Sequence, residues 1–345
     1  MNDEIQTTTA TAAVRSLTTM DDIPSLANLH GLAIGAGGFL LGLAACALMA
    51  IIEYGAWALV VPPRVKATDH LDKSTDPERG HIAIKADDGT RLSARWHPIT
   101  NERPTGRIAV LIHGFAEAAR EVQAIRVAAL NAAGWEVAAI DLRGYGQSDG
   151  AYASFGGREG RDVVRWLDAL ARMVPRDDPA DAFDPILWGR SMGAAIAIRA
   201  AAEDPRIRAV VLESPMVDLN DAMRVWFRSR RFPGSWLLAR LVTMRAARIA
   251  RVSLTRPRPI RLAGRVNCPV LILHGQADRL VSTPAARRLA AAFPTPARVV
   301  EVPEAGHVDV VAVGGEALLN DVVSFLDSAM ARAGQERDGQ PARAT

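Results

Sequence analysis

Two kinds of hydrophobic pattern divide the chain. The first is a continuous block. From Gly31 to Ile52 no residue carries a charge (GLAIGAGGFLLGLAACALMAII), Glu53 interrupts, and YGAWALVV extends the apolar character to Pro62-Pro63. A run of this length spans a hydrocarbon core of ~30 Å as one helix, and Tyr54 and Trp57 suit the interfacial belt. A helix buried in a soluble core is the alternative, but it should show a polar stripe. A cleaved signal peptide is a further alternative. It calls for a basic segment in front, whereas residues 1–30 are polar, rich in Thr and Ala, and hold one arginine, Arg15. Leu43-Ala44-Ala45-Cys46 resembles a lipoprotein cleavage box, yet the residues after Cys46 stay apolar where a mature lipoprotein turns polar.

The second pattern begins at residue 81 and alternates. HIAIKADDGTRLSARWHP holds two alternating runs around Asp88-Gly89, the signature of a β-hairpin. Short apolar runs follow at RIAVLIHGF (107–115), WEVAAIDLRGYG (135–146), PILWG (185–189), IRAVVLES (207–214), PVLILHG (269–275) and ARVVEVP (297–303). Helical stretches are expected between them near 118–133, 158–173, 191–203 and 284–292, with a last one near 315–331. Apolar runs of this length alternating with helices predict an α/β fold, a mostly parallel sheet covered by helices on both faces. In such sheets functional residues gather at the C-terminal ends of the strands. The domain plan is then a disordered tail over 1–30, a transmembrane helix over 31–61, a linker over 62–80, the α/β domain over 81–332 and a disordered tail over 333–345.

Charge sets an orientation. Arg15, Asp21 and Asp22 precede the apolar block, and Arg64, Lys66, Lys73 and Arg79 follow it. The positive-inside rule puts the C-terminal bulk in the cytoplasm of a single-pass membrane protein. Composition adds less. Hydrophobic residues make up 49% of the 345 and charged residues 23%, ordinary for a globular chain. The two cysteines, Cys46 and Cys268, make no disulfide framework, and no His/Cys spacing suggests a metal. No cofactor is expected.

The apolar runs point to candidate chemistry. Ser191 follows PILWG directly and opens a predicted helix, with Gly189 two residues before it and Gly193 two after. That is the geometry of a nucleophile elbow, where small flanking residues leave room for a sharp strand-to-helix turn. A helix-capping serine is the simpler alternative. A serine hydroxyl needs a base, and the base needs an orienting acid. Of seven histidines, His307 lies in a loop after the last predicted strand, and Asp278 follows the run PVLIL. The chain order Ser191, Asp278, His307 is the one this architecture uses. Asp218, four residues past an earlier strand, is the second candidate acid; Asp309 is too near His307 in sequence. An oxyanion also needs two backbone donors, expected from Met192, just after the serine, and Phe115, in the loop His113-Gly114-Phe115. His113 and His274 are expected to shape their loops, and Arg190 has no evident task.

HGF, DLRGYGQSDG, GRSMGA, HGQADRLV and AGH occur in that order over roughly residues 80–330. Together they resemble the motif series of the alpha/beta-hydrolase superfamily. With FGGREGRDVVRWLDAL after the second motif, the chain is similar to membrane-anchored bacterial serine hydrolases of the serine-aminopeptidase-like group. The resemblance implies a Ser–Asp–His hydrolase and leaves its substrate open, since esterases, lipases, thioesterases, amidases and peptidases share these motifs.

Such hydrolases often carry a cap over the active site, here residues 216–265. That stretch holds twelve arginines against two acids, Asp218 and Asp221, so its balance is +10 in a chain whose total is +3. Within it SWLLARLVTMRAARIARVSL (235–254) reads as a basic amphipathic helix, which fits a surface against anionic headgroups. A solvated face, or arginines paired to the acidic body, is the alternative. No nucleic-acid recognition motif accompanies the charge. The sequence thus leads to a membrane-anchored serine hydrolase of carboxylic esters, small or lipid-like, contacting membrane lipids through its N-terminal helix and basic cap. A serine peptidase or amidase, and a non-catalytic membrane module, are the alternatives.

Overall fold

The hairpin at Asp88-Gly89 becomes the edge of one eight-stranded sheet. The computed structural model describes residues 26–62, 80–99, 106–115, 124–173 and 183–337. The strands are β1 (His81–Lys85), β2 (Arg91–His97), β3 (Arg107–Ile112), β4 (Glu136–Ile140), β5 (Asp184–Arg190), β6 (Ala209–Glu213), β7 (Val270–Gly275) and β8 (Arg298–Val302). Their order is β1-β2-β4-β3-β5-β6-β7-β8. β1 pairs antiparallel with β2, and β2 with β4, while every later pairing is parallel. Every residue of β4, β5, β6 and β7 is buried. Strands covered on both faces carry unbroken apolar runs, and each large side chain so buried contributes about 1.5–3 kcal/mol. The chain therefore has the alpha/beta-hydrolase fold, a mostly parallel sheet with helices between its strands.

The connecting helices are α2 (Ala124–Ala132), α3 (Glu159–Met173), α4 (Met192–Glu203), α8 (Thr283–Ala290) and α9 (Val310–Arg337). Between β6 and β7 lie α5 (Leu219–Ser229), α6 (Ser235–Ala250) and the short α7 (Pro259–Ala263). Arg251, left-handed at φ 54°, ends α6 with its N–H on the Ala247 carbonyl, four residues before the sequence pattern stops. The last helix starts five residues earlier than its apolar period suggests. Val313 N–H donates to the Asp309 carbonyl and the Asp309 carboxylate accepts Gly306 N–H at 2.6 Å, so a turn forms before Gly315 breaks the helix at φ 57°. Its far end also departs from the expected tail at 333. Residues 333–337 contain no proline and four good helix formers, and they stay helical to Arg337.

The apolar block is one helix, α1 (Leu26–Val60), unbroken at Glu53 and beginning inside the segment expected to be a disordered tail. Its Gly37–Val60 stretch is long and apolar enough to cross a membrane, and Phe39, Leu40, Leu41 and Met49 are each more than 60% exposed. The chain divides into two compact units, Met1–Glu53 and Tyr54–Thr345. In the second unit the last turns of α1 are anchored. Ala56, Leu59 and Val60 are buried, the Val60 carbonyl accepts Ala153 N–H at 2.8 Å, and Trp57 meets Tyr152 at 6.1 Å between ring centroids. Most of the expected linker, with Arg64, Lys66, Lys73 and Arg79, lies outside the described residues, as do Arg15, Asp21, Asp22, the start of the helix expected at 118, and residues 338–345.

Candidate active site

β5 ends at Arg190 and α4 begins at Met192, leaving Ser191 alone in the turn at φ 51°, ψ −110°. A non-glycine residue at positive φ is strained, and here the strain is held from both sides. Ser191 N–H donates to the Glu213 carbonyl at 2.8 Å, and the Ser191 carbonyl accepts from Met216, Ala194 and Ala195. The flanking glycines are sterically required. A β-carbon on Gly189 would collide with the Gly193 backbone, and one on Gly193 with the carbonyls of Ile112 and His113. The Ser191 hydroxyl caps nothing in α4. It donates instead to His307 Nε2 at 2.8 Å.

His307 stands in the loop between β8 and α9, and its Nδ1–H donates to Asp278 Oδ2 at 2.8 Å. Asp278 lies just past β7 with its side chain wholly buried. Its other oxygen accepts the N–H groups of Leu280 and Val281 at 2.8 and 2.9 Å. Burial alone would raise its pKa. The hydrogen bond and charge of His307, with those two backbone donors, outweigh burial and hold it below the ordinary carboxylate range. The three residues thus sit at the C-terminal ends of β5, β7 and β8 and form one continuous relay. The two other acids are occupied elsewhere: Asp218 accepts the N–H groups of Asn220 and Asp221 as the cap of α5 and meets Arg258, and Asp309 holds Gly306.

The loop that carries Phe115 is fixed by His113. Its Nδ1–H donates to the Gly114 carbonyl at 2.7 Å, its Nε2 accepts Leu142 N–H at 3.1 Å, and its ring meets Tyr145 edge-on at 4.8 Å. Burial is the main cause that pushes its pKa down to about 4, with the Arg190 charge adding to it against the Gly114 hydrogen bond. A neutral imidazole with one donor and one acceptor is what both contacts need. Met192 opens α4, where helix N–H groups lack intrahelical partners and the dipole favours negative charge.

Several supporting residues escape a reading of the sequence alone. Arg190 donates through Nη1 to the Val308 carbonyl at 3.3 Å, tying the turn before the serine to the residue after the histidine. Phe155 stacks on Phe115 at 5.8 Å and 22°. The loop that presents it is knotted onto Glu159, whose carboxylate accepts Ser154 N–H at 2.6 Å, Gly156 N–H at 2.8 Å and the Ser154 hydroxyl. The loop-shaping role that the sequence does assign to His274 has its basis in a hydrogen bond from Nε2 to the Val281 carbonyl at 3.0 Å, which braces the Asp278 turn, and burial lowers its pKa so that it stays neutral. Beneath Ser191, Arg126 pairs with the fully buried Glu213 at 2.5–2.9 Å, and Trp188 Nε1–H donates to the same carboxylate at 3.3 Å. Of these pairings only His274 with Val281 and Glu159 with its loop are close in sequence, and in the latter an acid opening a helix after F-G-G is a readable capping signal.

A small cavity of about 20 Å³ lies near the turn that carries Ser191, lined by apolar residues such as Phe155, Met216 and Leu254 and by polar ones such as Arg199, Asp218 and Arg258. Ala195 is one helical turn beyond the serine, and Met216 N–H donates to the Ser191 carbonyl at 3.3 Å.

A parallel sheet with a serine elbow after its fifth strand, an acid after the seventh and a histidine after the eighth defines the alpha/beta-hydrolase architecture. The hydrolase family described as serine aminopeptidase, S33, matches residues 103–259. The chain is similar to the uncharacterized protein Rv2307c of Mycobacterium tuberculosis, 29% identical over 252 residues that cover 72% of this chain and 80% of the other. It is similar in structure to the Pyrococcus furiosus esterase Pf2001 (TM-score 0.59, 24% identity, 78% of this chain and 97% of the other). It is likewise similar to Est1E of Butyrivibrio proteoclasticus, solved with ferulic acid bound (TM-score 0.56, 20% identity, 72% and 99%). Over residues 103–259 the chain is thus similar to hydrolases of the alpha/beta-hydrolase superfamily, and its solved neighbours share its fold.

Proposed function

We propose that this protein is a membrane-anchored serine hydrolase that cleaves carboxylic esters through an acyl-enzyme. The observation that carries the reading is the relay from Ser191 Oγ through His307 to Asp278, each link 2.8 Å. His307 takes the proton as Ser191 attacks the ester carbonyl, and the imidazolium that forms faces the ionised Asp278. The developing oxyanion is received by the N–H groups of Met192 and Phe115. His307 returns the proton to the leaving alcohol, then activates a water that releases the acid from Ser191. The esterase neighbours, similar in fold, agree with an ester substrate.

α1 is the anchor in this reading, and the charges flanking it put the hydrolase domain, residues 81–332 with its cap over 216–265, on the cytoplasmic side. The basic cap and α1 both contact membrane lipids. The second reading, an amidase or peptidase, draws on the description of the matching family. Turnover of p-nitrophenyl esters against aminoacyl-nitroanilides separates the two. The proposal expects ester cleavage that Ser191→Ala abolishes; preference for the anilides would replace the ester reading, and full ester activity in Ser191→Ala would remove both.

A further inference from the structure

We propose that the loop carrying DLRGYGQSDG builds a second binding pocket, one that takes a soluble phosphate monoester bearing a small organic group. That motif has no part in the relay. β2 runs antiparallel to β4, so the hairpin end at Asp88-Gly89 and the loop after β4 lie together. The loop is pinned there. Ser93 N–H donates to Ser148 Oγ at 2.8 Å, Asp149 N–H to the Arg91 carbonyl at 2.8 Å, and Gly144 N–H to the Asp149 carbonyl at 2.9 Å. Between this wall, Arg158 just before α3, and the end of α6 lies a cavity of about 360 Å³, a volume in the range of small-molecule sites. None of its described lining residues belongs to the relay or to its oxyanion donors.

Three arginines and one aspartate line the cavity, and they are not equally occupied. Asp88 is consumed within the wall. Its Oδ1 accepts Thr90 N–H at 3.1 Å and its Oδ2 accepts from Arg143 Nη1 at 2.9 Å, and Arg143 with Thr90 holds its carboxyl well below the ordinary carboxylate range. Arg143 is consumed in turn, because Nε and Nη2 each donate to Asp162 at 2.7 Å. Arg158 and Arg251 are left. Arg158 rests one N–H on the Ala250 carbonyl at 3.4 Å, and neither arginine meets a carboxylate among the described residues. Two guanidiniums without a counter-charge call for a dianion. A phosphate monoester brings a charge of about −1.5 to −2 at pH 7 and three terminal oxygens, which the arginine fork matches; a carboxylate brings one charge. Tyr152, whose ring is set against Trp57 at 6.1 Å, and Ile249 add an apolar wall for the organic group.

The test titrates phenyl phosphate into the full chain in neutral detergent and reads binding by calorimetry. The proposal expects saturable binding that weakens about tenfold or more in Arg158→Gln and in Arg251→Gln. Binding should be unchanged in Arg248→Gln, which alters an exposed arginine of α6 outside the pocket. Arg251 is exposed and ends α6 through its backbone N–H, so its variant decides alone if Arg158→Gln fails to fold. Phenyl sulfate, of the same shape with one charge, should bind at least tenfold more weakly, and phenyl phosphate should lose affinity below about pH 6 as it takes up a proton. No saturable binding, equal binding by wild type and both pocket variants, or equal binding of phenyl sulfate overturns the proposal. Protein blocked at Ser191 by a fluorophosphonate should still bind phenyl phosphate; loss of binding there would put the phosphate at the relay and overturn the second site. Phosphatidylglycerol doped into the micelles tests a lipid headgroup as the source of the phosphate, and its displacing phenyl phosphate at equal concentration would overturn the soluble ligand.

Discussion

Exchanging Asp278 for asparagine removes one charge and almost nothing else. The amide has the shape of the carboxylate, and its oxygen can keep the N–H groups of Leu280 and Val281 that Asp278 accepts at 2.8 and 2.9 Å. What remains facing His307 Nδ1, 2.8 Å away, is then an N–H donor. Nδ1 must accept, so the ring proton moves to Nε2, the atom that should take the proton of Ser191. The relay keeps its geometry and holds the wrong tautomer. In a triad of this design that exchange costs about 10⁴-fold in kcat, or about 5 kcal/mol of transition-state stabilisation. Because Asp278 is wholly buried, no water can replace the missing charge. The assay is kcat for a p-nitrophenyl ester on detergent-solubilised Asp278→Asn and wild-type protein, with thermal melts of both. The expectation is a melting temperature close to wild type and near-complete loss of turnover. A folded variant within about tenfold of wild type would refute the argument, and would turn attention to another acid.

Three further outcomes follow from the surroundings of the relay. Ser191→Gly should be about 1 kcal/mol more stable than Ser191→Ala, because both lack the hydroxyl and only glycine relaxes at φ 51°; equal melting temperatures would show that the turn stores no strain. Burial lowers the His113 pKa from 6.5 to about 4, so the unfolded chain takes up this proton at a higher pH than the folded one. Its effect on stability is absent above pH 6.5 and grows into a loss of about 3 kcal/mol as pH falls toward 4. Urea unfolding at several pH values should show His113→Gln with a flatter acid limb than wild type, and parallel limbs would contradict this. Arg126→Met leaves the buried Glu213 unpaired and should cost about 3–5 kcal/mol in urea unfolding, with Glu213→Leu added to it restoring most of the loss; a single variant as stable as wild type would contradict the pairing.

What could be read from the sequence was whatever is coded locally. The apolar runs announce strands buried on both faces, and the serine between Gly189 and Gly193 announces a turn in which a β-carbon has no room. Asp278 and His307 could be chosen because strand ends converge in this fold, with Asp218 as the second candidate acid, which the structure shows capping α5. The parts that could not be read depend on long-range contact. Arg190 takes its task from Val308, 118 residues away, and Phe155 takes its position from Phe115. The pair of Arg126 and Glu213, 87 residues apart, gives no sign in either segment. Ends of helices were the other gap. The turn before Gly315 rests on Asp309 rather than on apolar periodicity, and α1 passes straight through Glu53 because one charged residue does not interrupt backbone hydrogen bonding.

The central claim is that Ser191 is the nucleophile, and covalent mapping tests it most directly. The purified full chain is treated with a fluorophosphonate, digested, and its peptides are weighed. The account predicts a single phosphonylated residue, Ser191, with labelling lost in Ser191→Ala and strongly slowed in His307→Gln. A stable adduct at any other serine, or labelling of Ser191→Ala at the wild-type rate, would contradict it.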